Sequence, residues 1–262
     1  MSNKPPAYCI FCGIRGVTKQ HVWPDWMGTH LPRDDTFHTQ LLTEIELINL
    51  PLLAVIRPKL HISKGPFAAR KLRIACSACN SGWMSQLESQ AKPILLQLMS
   101  GRVWNLSAVE QHALASWIVL FTVVAEFTDK KTIAIPPVDR ITLRTQKMPP
   151  PGWRIWIALH DSRNWRHGFI HHALAVYQTT AIPTHPAPYN CQFTTIGIGS
   201  ILFHAVRTPF DAGVLRFSDN IAAKLSQLWP INEFSLRIDS IKKLLDEETE
   251  AVSNEFALPL RS

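Results

Sequence analysis

The chain has 262 residues, of which 46% are hydrophobic and 18% are charged. That length and composition exclude both a minimal zinc-stabilised peptide and a largely disordered chain, and they allow one large domain or two modest ones. Lys and Arg number 27 against 20 for Asp and Glu, and residues 1–105 alone carry twelve basic and six acidic side chains. This local excess favours a polyanionic partner, although an ordinary solvated basic surface fits it equally well.

The first residues, MSNKPPAYC, contain no apolar segment of the kind that a secretory signal requires. We therefore expect a cytoplasmic protein with reduced thiols. Four of the five cysteines form two Cys-x-x-Cys pairs, the first being Cys9 with Cys12 and the second Cys76 with Cys79. Both sulfur atoms of such a pair reach one ion from a tight turn, and four thiolates fit the tetrahedral coordination of zinc. The pairs predict one structural zinc with no coordination position open to a substrate.

The N-terminal part is predicted to combine two strands, a long loop and a helix. Residues 7–24 contain the first Cys pair and a short strand. Residues 25–70 are rich in Pro, Asp and Thr and are predicted to be a long irregular insertion. Loops of this length usually serve a site. The sequence RKLRIA, residues 70–75, predicts a basic strand leading into the second Cys pair. Apolar residues then recur at helical spacing up to Gly101, which predicts a helix that Pro93 kinks or divides.

A second helix is indicated by a start signal and an apolar run. Ser107 and Glu110 have the spacing of a capping box, and the residues behind them predict a helix over 108–127. The stretch 113–125 is nearly all apolar, but its thirteen residues are too few for a membrane span, which needs about 20. We expect a buried core helix and no association with a membrane.

Beyond residue 152 the apolar residues alternate and β-formers dominate, which predicts an antiparallel sheet. The predicted strands are 153–159, 171–179, 191–199 and 201–207. Cys191 is expected to be a small buried side chain in the third of them. The segment 234–252 predicts a surface helix, and the residues expected on its apolar face are Ile238, Ile241, Leu244 and Leu245.

These elements together predict an α+β protein. Residues 1–105 would form a zinc-containing module with the insertion at 25–70, and residues 106–262 would form an accessory region of helices and antiparallel sheet.

Two motifs beside the Cys pairs resemble those of a known family. The first is QHVWP, residues 20–24, in which a polar residue precedes His21 and a proline follows three positions later. The second is CSACN, residues 76–80, in which the second Cys pair is followed directly by Asn80. Together they resemble the zinc-containing HNH endonucleases of the ββα-metal type, including a subgroup found in phages and bacteria. The resemblance is confined to the N-terminal module.

The resemblance implies a treble-clef-like module in which a structural zinc brings a strand histidine opposite the start of a helix. It implies that His21 is the general base for the attacking water and that Asn80 binds a catalytic divalent ion such as Mg²⁺. Gln20 stands where the family usually has Asp or Glu, and an amide oxygen holds Mg²⁺ less well than a carboxylate. The Asn that commonly precedes the second Cys pair is also absent. The implied reaction is metal-dependent hydrolysis of phosphodiester bonds.

Three functions remain open from the sequence. A nuclease, acting on nucleic acid and most simply on DNA, is favoured. The alternative is a zinc-stabilised nucleic-acid-binding protein without catalysis, because Gln20 weakens the implied ion site. A dithiol redox protein is disfavoured, since no thioredoxin-like βαβ pattern surrounds either Cys pair. Arg70, Lys71 and Arg73 are either phosphate contacts or an exposed strand face.

Overall fold

The structure of the protein is a computed structural model. It describes residues 8–31, 37–41, 46–50, 53–57, 60–64, 70–100, 105–130, 132–177, 189–209, 217–238 and 242–254. In these ranges the chain combines helices with antiparallel sheets, which confirms the α+β class.

The strands are, in chain order, β1 (Thr18–His21), β2 (Phe37–Leu41), β3 (Glu46–Leu50), β4 (Leu53–Arg57), β5 (Leu60–Lys64), β6 (Lys71–Ala75), β7 (Asn105–Ser107), β8 (Trp153–Leu159), β9 (His167–Tyr177), β10 (Cys191–Ile198), β11 (Ile201–Arg207), β12 (Ser226–Trp229) and β13 (Ser235–Arg237). The helices are α1 (Ser77–Cys79), α2 (Ser85–Met99), α3 (Ala108–Glu126), α4 (Pro137–Gln146), α5 (Asp219–Ala222) and α6 (Asp246–Asn254). A 3₁₀ helix covers Asp25–Thr29, and a π-helical turn covers Asn80–Met84 between α1 and α2.

The N-terminal strands form a small sheet that leads into a helix. β1 and β6 pair antiparallel with His21 opposite Lys71, and α1 follows β6 directly. A backbone hydrogen bond of 2.9 Å from Ile10 to the carbonyl of Ile74 joins the turn of the first Cys pair to β6. The two Cys pairs, distant in sequence, are therefore held side by side.

The helix predicted after the second Cys pair is present but is not divided at Pro93, because α2 runs through this proline. Pro93 is exposed, so water can bond the carbonyl of Ser89 that lacks its helical partner. The irregularity lies instead at Gly82, where φ is −93° and ψ is −113°. The buried side chains of α2 are Leu87, Ala91, Ile94, Leu95 and Leu98, as the helical spacing predicted.

α3 begins at the predicted capping box. The Ser107 hydroxyl accepts a hydrogen bond of 3.4 Å from the backbone N–H of Glu110, and the Glu110 carboxylate accepts one of 2.8 Å from the backbone N–H of Ser107. The helix is long and apolar enough to cross a membrane, but 78% of its most apolar window is buried inside the protein. It packs as the core helix that the sequence predicted.

The largest sheet has the strand order β12-β8-β11-β10-β9-β4-β3, with antiparallel pairing throughout. Four of its strands, β8 to β11, correspond to those predicted between residues 153 and 207. Cys191 is only 1% exposed in β10, as expected. One side of this sheet shares a continuous core with α3.

The segment 25–70 is more regular than predicted. It contains β2 to β5 as well as the 3₁₀ helix. β4 pairs with β9 and carries β3 into the largest sheet, while β2 pairs with β5. Short runs such as LAVI at 53–56 form strands when a partner edge is available, and here that edge is far away in the sequence. The boundary at residue 105 stays a prediction, although β4, which precedes it, pairs with β9, which follows it.

The predicted C-terminal helix is wrong over much of its length. Ser235–Arg237 forms β13, which pairs with β7, and Leu244 forms a parallel bridge with His160. Leu244 is buried whereas Leu245 is 63% exposed, so the two do not share an apolar face. Pairing with distant strands outweighs the local helical spacing, and α6 begins only after these residues. Ile241 lies outside the described residues.

An aromatic cluster fixes the segment after β1 against the main core. Trp23 is 1% exposed, and its ring centroid lies 4.7 Å from that of Phe121 and 6.0 Å from that of Phe169. Phe121 belongs to α3 and Phe169 to β9, so three parts of the chain meet here. Edge-to-face aromatic pairs add about 0.5–1.5 kcal/mol beyond area burial. His21 therefore lies two residues from a well-packed anchor.

Asp139, in the first turn of α4, is the centre of a buried polar network. It is 5% exposed, and its Oδ2 accepts hydrogen bonds of 3.0 Å from both Trp153 Nε1 and Arg207 Nε. The Arg207 side chain is only 13% exposed. Removing the carboxylate would therefore leave a poorly solvated guanidinium without its counter-charge.

We expect Asp139→Ala to lower the free energy of unfolding by about 3–5 kcal/mol, the usual result of removing one partner of a buried ion pair. Urea denaturation followed by circular dichroism measures the change. Asp161→Ala is the matched control, because Asp161 contacts Lys243 at 2.7 Å but both side chains are more than half exposed. That variant should lose at most about 1 kcal/mol. Equal losses of unfolding free energy in the two variants would show that the buried Asp139 network stabilises the fold no more than an exposed ion pair does.

Candidate functional site

The four paired cysteines converge on one point, as the sequence predicted. The Sγ atoms of Cys9, Cys12, Cys76 and Cys79, hereafter the four-cysteine cluster, all lie within 4.8 Å of one another. Those of Cys12 and Cys76 are 3.5 Å apart. Sulfur atoms placed tetrahedrally at a zinc–sulfur distance of about 2.3 Å are about 3.8 Å apart. The cluster is therefore close enough to hold one metal ion, and its donors are compatible with structural zinc.

Tight turns bring the two thiols of each pair to the same side. In the first pair the backbone N–H of Gly13 donates to the carbonyl of Cys9 at 2.9 Å. Gly13 has a φ of 70°, a conformation that favours glycine. In the second pair the backbone N–H of Asn80 donates to the carbonyl of Cys76 at 2.9 Å. This bond forms the first turn of residues 77–99, hereafter the helical segment, which comprises α1, the π-helical turn and α2.

The thiols of the cluster affect one another's ionisation. Burial, with the neighbouring thiols of Cys12 and Cys76, raises the pKa of Cys79 to about 12. Burial also acts to raise the pKa of Cys9, but backbone N–H groups, that of Cys76 first, outweigh it and lower the pKa to about 7. Adjacent thiolates repel one another, so a cation at their centre favours the ionised form of all four. A closed set of four sulfur ligands leaves no position open to a substrate.

A cleft of about 280 Å³ adjoins the cluster where β1 meets the start of the helical segment. The residues that line it are Lys19, Gln20, His21, Pro24, Asp25, Asn80, Ser81, Met84, Ser85, Glu88 and Leu120. His21, Gln20 and Asn80, the three residues that the family resemblance singled out, therefore line one cleft although about sixty positions separate the strand from the helix.

His21 presents one ring nitrogen to a carboxylate. Asp25 Oδ1 lies 2.8 Å from His21 Nδ1, and the side chains are 73% and 20% exposed respectively. The oxygen lies off the direction of the N–H bond, so the contact is an electrostatic one rather than an aligned hydrogen bond. Nδ1 itself is shielded from solvent, and the exposed part of the ring lies elsewhere. A carboxylate beside Nδ1 favours a proton there, which leaves Nε2 as the basic nitrogen.

Asn80 and Gln20 both bond to β1. Asn80 Nδ2 donates to Thr18 Oγ1 at 3.1 Å and to the carbonyl of Lys19 at 3.4 Å, which fastens the helical segment to the strand. Gln20 Nε2 donates to the carbonyl of His21 at 2.9 Å. The Gln20 side chain is thus turned onto its own strand, and its Oε1 has no hydrogen-bond partner among the described residues.

Two carboxylates line the cleft although no motif pointed to them. Asp25 begins the 3₁₀ helix four residues after His21, and Glu88 lies in the first turn of α2, eight residues after Asn80. Burial raises the pKa of Glu88. The Trp26 side chain and the charge of Lys92 oppose that rise, and the charge of Asp25 adds a smaller contribution to it. Helical spacing could not have connected Glu88 with Asn80, because the break at Gly82 lies between them.

The basic residues before the second Cys pair are of two kinds. Arg70 is half-buried and donates a hydrogen bond of 3.1 Å to a backbone carbonyl just after α3. Lys71 is exposed and lies opposite His21. Arg73 is exposed and lies opposite Lys19, a lysine that no motif indicated. Directly opposed residues and alternate residues share a face, so these three cations lie on the face of the small sheet that carries His21.

Comparisons with known proteins find no matching family model, no similar curated protein and no similar solved structure. Any assignment of function to this chain therefore has to come from the cluster, the cleft and the motifs themselves.

Proposed function

We propose that this protein is a metal-dependent endonuclease of the HNH type that hydrolyses phosphodiester bonds of nucleic acid, with DNA as its substrate. The observation that carries the proposal is the cleft beside the four-cysteine cluster, which His21 on β1 and Asn80 at the start of the helical segment both line. The order and pairing of β1, β6 and the following helix agree with the ββα arrangement that the resemblance implies. In this proposal the cluster binds one structural zinc that takes no part in the reaction.

In the proposed mechanism His21 acts as the general base. Its neutral imidazole removes a proton from water as the oxygen attacks phosphorus, and Asp25 beside Nδ1 stabilises the resulting imidazolium. Lys71 and Arg73 hold the flanking phosphates on the same face of the sheet. A divalent ion such as Mg²⁺, when bound, supplies positive charge opposite the phosphorane and the leaving 3′ oxygen. Asn80 holds the helical segment against β1 through the hydrogen bond from its Nδ2 to Thr18 Oγ1.

Cleavage of supercoiled plasmid by zinc-loaded protein tests this proposal. With Mg²⁺ or Mn²⁺ added, relaxed or linear plasmid should form, and without an added divalent ion the plasmid should stay supercoiled. Single-stranded DNA and duplex RNA tested in parallel show whether DNA is the preferred substrate. Intact substrate with every ion would contradict the nuclease.

A nucleic-acid-binding protein without catalysis is the second candidate. It is favoured by Gln20, a neutral residue whose side chain bonds to the backbone of β1 where the family usually has an acid. Both candidates use the same surface for binding, so cleavage distinguishes them and binding does not.

Both candidates predict that the phosphate backbone binds to the basic face around His21. We expect Lys71→Gln with Arg73→Gln to weaken DNA binding and to reduce the slope of log affinity against log salt by about 1.8, because each phosphate contact contributes about 0.9. Fluorescence anisotropy over a series of salt concentrations gives the slope. Lys242→Gln with Lys243→Gln is the matched control, since it removes the same charge from another exposed surface. An equal effect of both double variants would assign the effect to net charge alone.

A further inference from the structure

A second cavity, of about 270 Å³, lies at the other end of α2 from the cleft. Ser85, at the start of α2, lines the cleft, whereas Met99, at its end, lines the cavity. The ends of this 15-residue helix are about 20 Å apart, so the cavity is separate from the site around His21. Its other walls come from residues 160–166, which connect β8 to β9, from the turn between β10 and β11, and from Leu31.

Two side chains in the wall of this cavity are buried without a hydrogen-bond partner. His160 and Ser162 are each 1% exposed, and neither the ring nitrogens of His160 nor the hydroxyl of Ser162 has an aligned partner among the described residues. The backbone of Ile201 lies close enough to act on the pKa of His160, but it can serve only one of the two nitrogens. Native proteins bond nearly all of their buried polar groups, so unpaired groups gathered at one cavity indicate a missing partner.

Small side-chain rotations bring both groups to the cavity. Their polar atoms lie just below its surface in this structure. Ser162 has one χ1 torsion with three staggered positions, and a half-turn of the His160 ring exchanges its nitrogens with ring carbons. Burial lowers the pKa of His160 to about 4, although the backbone of Ile201 and the charge of Asp161 act in the other direction. The ring is therefore neutral near pH 7, and both groups suit a neutral polar part of a ligand.

The open side of the cavity carries one uncompensated positive charge. Arg166 is exposed, and its guanidinium has no ion-pair or hydrogen-bond partner in the part of the chain that the structure describes. Asp161 also lines the cavity, but Lys243 holds its carboxylate at 2.7 Å. The carbonyl end of α2 acts as only about half a negative charge, which a full guanidinium charge outweighs. A guanidinium binds a carboxylate or a phosphate through two parallel hydrogen bonds.

We propose that this cavity binds a small organic oxyanion, either a carboxylate or a phosphate ester. Arg166 binds the oxyanion, and Ser162 and His160 bond a neutral polar group of the same molecule. Leu31 and Met99 contact its apolar part. Pockets for small molecules measure about 300–1,000 Å³, so a cavity near the lower limit takes one small molecule. This binding site goes beyond the proposed nuclease and does not depend on it.

Calorimetric titration of the full chain with two pairs of probes tests the site. AMP carries a phosphate and benzoate a carboxylate, and adenosine and benzamide are their uncharged counterparts. At least one anion should bind saturably at one molecule per chain, and its counterpart should bind at least about tenfold more weakly, because hydrogen bonds to a charged group are the stronger ones.

Two arginine variants locate the bound anion. Arg166→Gln should weaken its binding by about ten- to a hundredfold. Arg163→Gln is the matched control, because Arg163 is an exposed arginine of the same connection that does not line the cavity. It should bind the anion as the wild type does. Loss of binding in Lys71→Gln with Arg73→Gln, without loss in Arg166→Gln, would place the anion on the basic face around His21 and overturn the proposal.

Ser162→Ala distinguishes a ligand site from a structural role. Removing a buried hydroxyl that has no partner should keep or raise the unfolding temperature and yet weaken binding of the anion. Ser253→Ala is the matched control. Ser253 is also 1% exposed, but its hydroxyl donates to the carbonyl of Glu250 at 2.8 Å. That variant should unfold at a lower temperature and bind the anion unchanged. Arg166→Gln, at an exposed position, keeps the test decisive if Ser162→Ala does not fold.

Three results would each overturn the proposal. They are no saturable binding of either anion at millimolar concentration, equal binding of charged and uncharged probes, and unchanged affinity in Arg166→Gln. Ordered water alone beside His160 and Ser162, in crystals soaked with the probes, would have the same meaning. None of these measurements involves cleavage, so failure of this site leaves the nuclease proposal standing, and failure of the nuclease leaves this site standing.

Discussion

Replacing Cys79 with serine should remove the zinc and unfold the N-terminal part of the chain. A structural zinc held by thiolates contributes about 10–16 kcal/mol in small zinc-binding peptides. An entire domain is stable by only about 5–15 kcal/mol, so the loss is comparable to the whole. The cluster is also joined to the core, because Phe11, between the first two cysteines, is 1% exposed and packs edge-to-face on Trp83 at 5.0 Å.

Metal analysis and calorimetry measure this result. We expect one zinc per wild-type chain, none in Cys79→Ser, and a lower unfolding temperature in the variant. Cys191→Ser is the matched control, since Cys191 is a buried cysteine outside the cluster. This variant should bind one zinc per chain, as the wild type does. A full equivalent of zinc in Cys79→Ser, or none in freshly purified reduced wild-type protein, would contradict the four-thiolate site.

Much of the structure could be predicted because its signals are local. A Cys-x-x-Cys pair predicts its own turn, and the capping box of Ser107 with Glu110 predicts the start of α3 within one residue. Alternating apolar residues indicated β8, β10 and β11 in the same way. The spacing within each Cys pair does not show that the two pairs lie together. Their meeting could be predicted because tetrahedral zinc takes four thiolates and each pair supplies only two.

The parts that could not be predicted depend on contacts between distant residues. The apolar spacing around Leu244 is helical, but its backbone pairs with His160, and no local pattern reveals that partner. β3 and β4 likewise depend on pairing with β9, which lies more than a hundred residues further along the chain. Asp25 and Glu88 are ordinary acidic residues in the sequence, and only the meeting of β1 with the helical segment brings them together.

His21→Ala should abolish cleavage while zinc content and DNA affinity stay at the wild-type level. A positioned general base contributes about 10²–10⁴-fold to a hydrolytic rate, so the loss should fall in that range or below the detection limit. The structure separates this role from stability, because Trp23, not His21, anchors the segment in the core, and the imidazole is partly open to the cleft.

His30→Ala is the matched control, because His30 is an exposed histidine that follows the same 3₁₀ helix and does not line the cleft. Rates of plasmid nicking at saturating Mg²⁺ compare the two variants, and anisotropy and metal analysis confirm that binding and zinc are unchanged. The His30 variant should cleave as the wild type does. Cleavage by His21→Ala at the wild-type rate would exclude the histidine as the base and would point instead to Asp25 or Glu88, the two carboxylates that line the cleft. One of them would then have to activate the water, and the rate would persist toward acidic pH instead of falling with protonation of an imidazole.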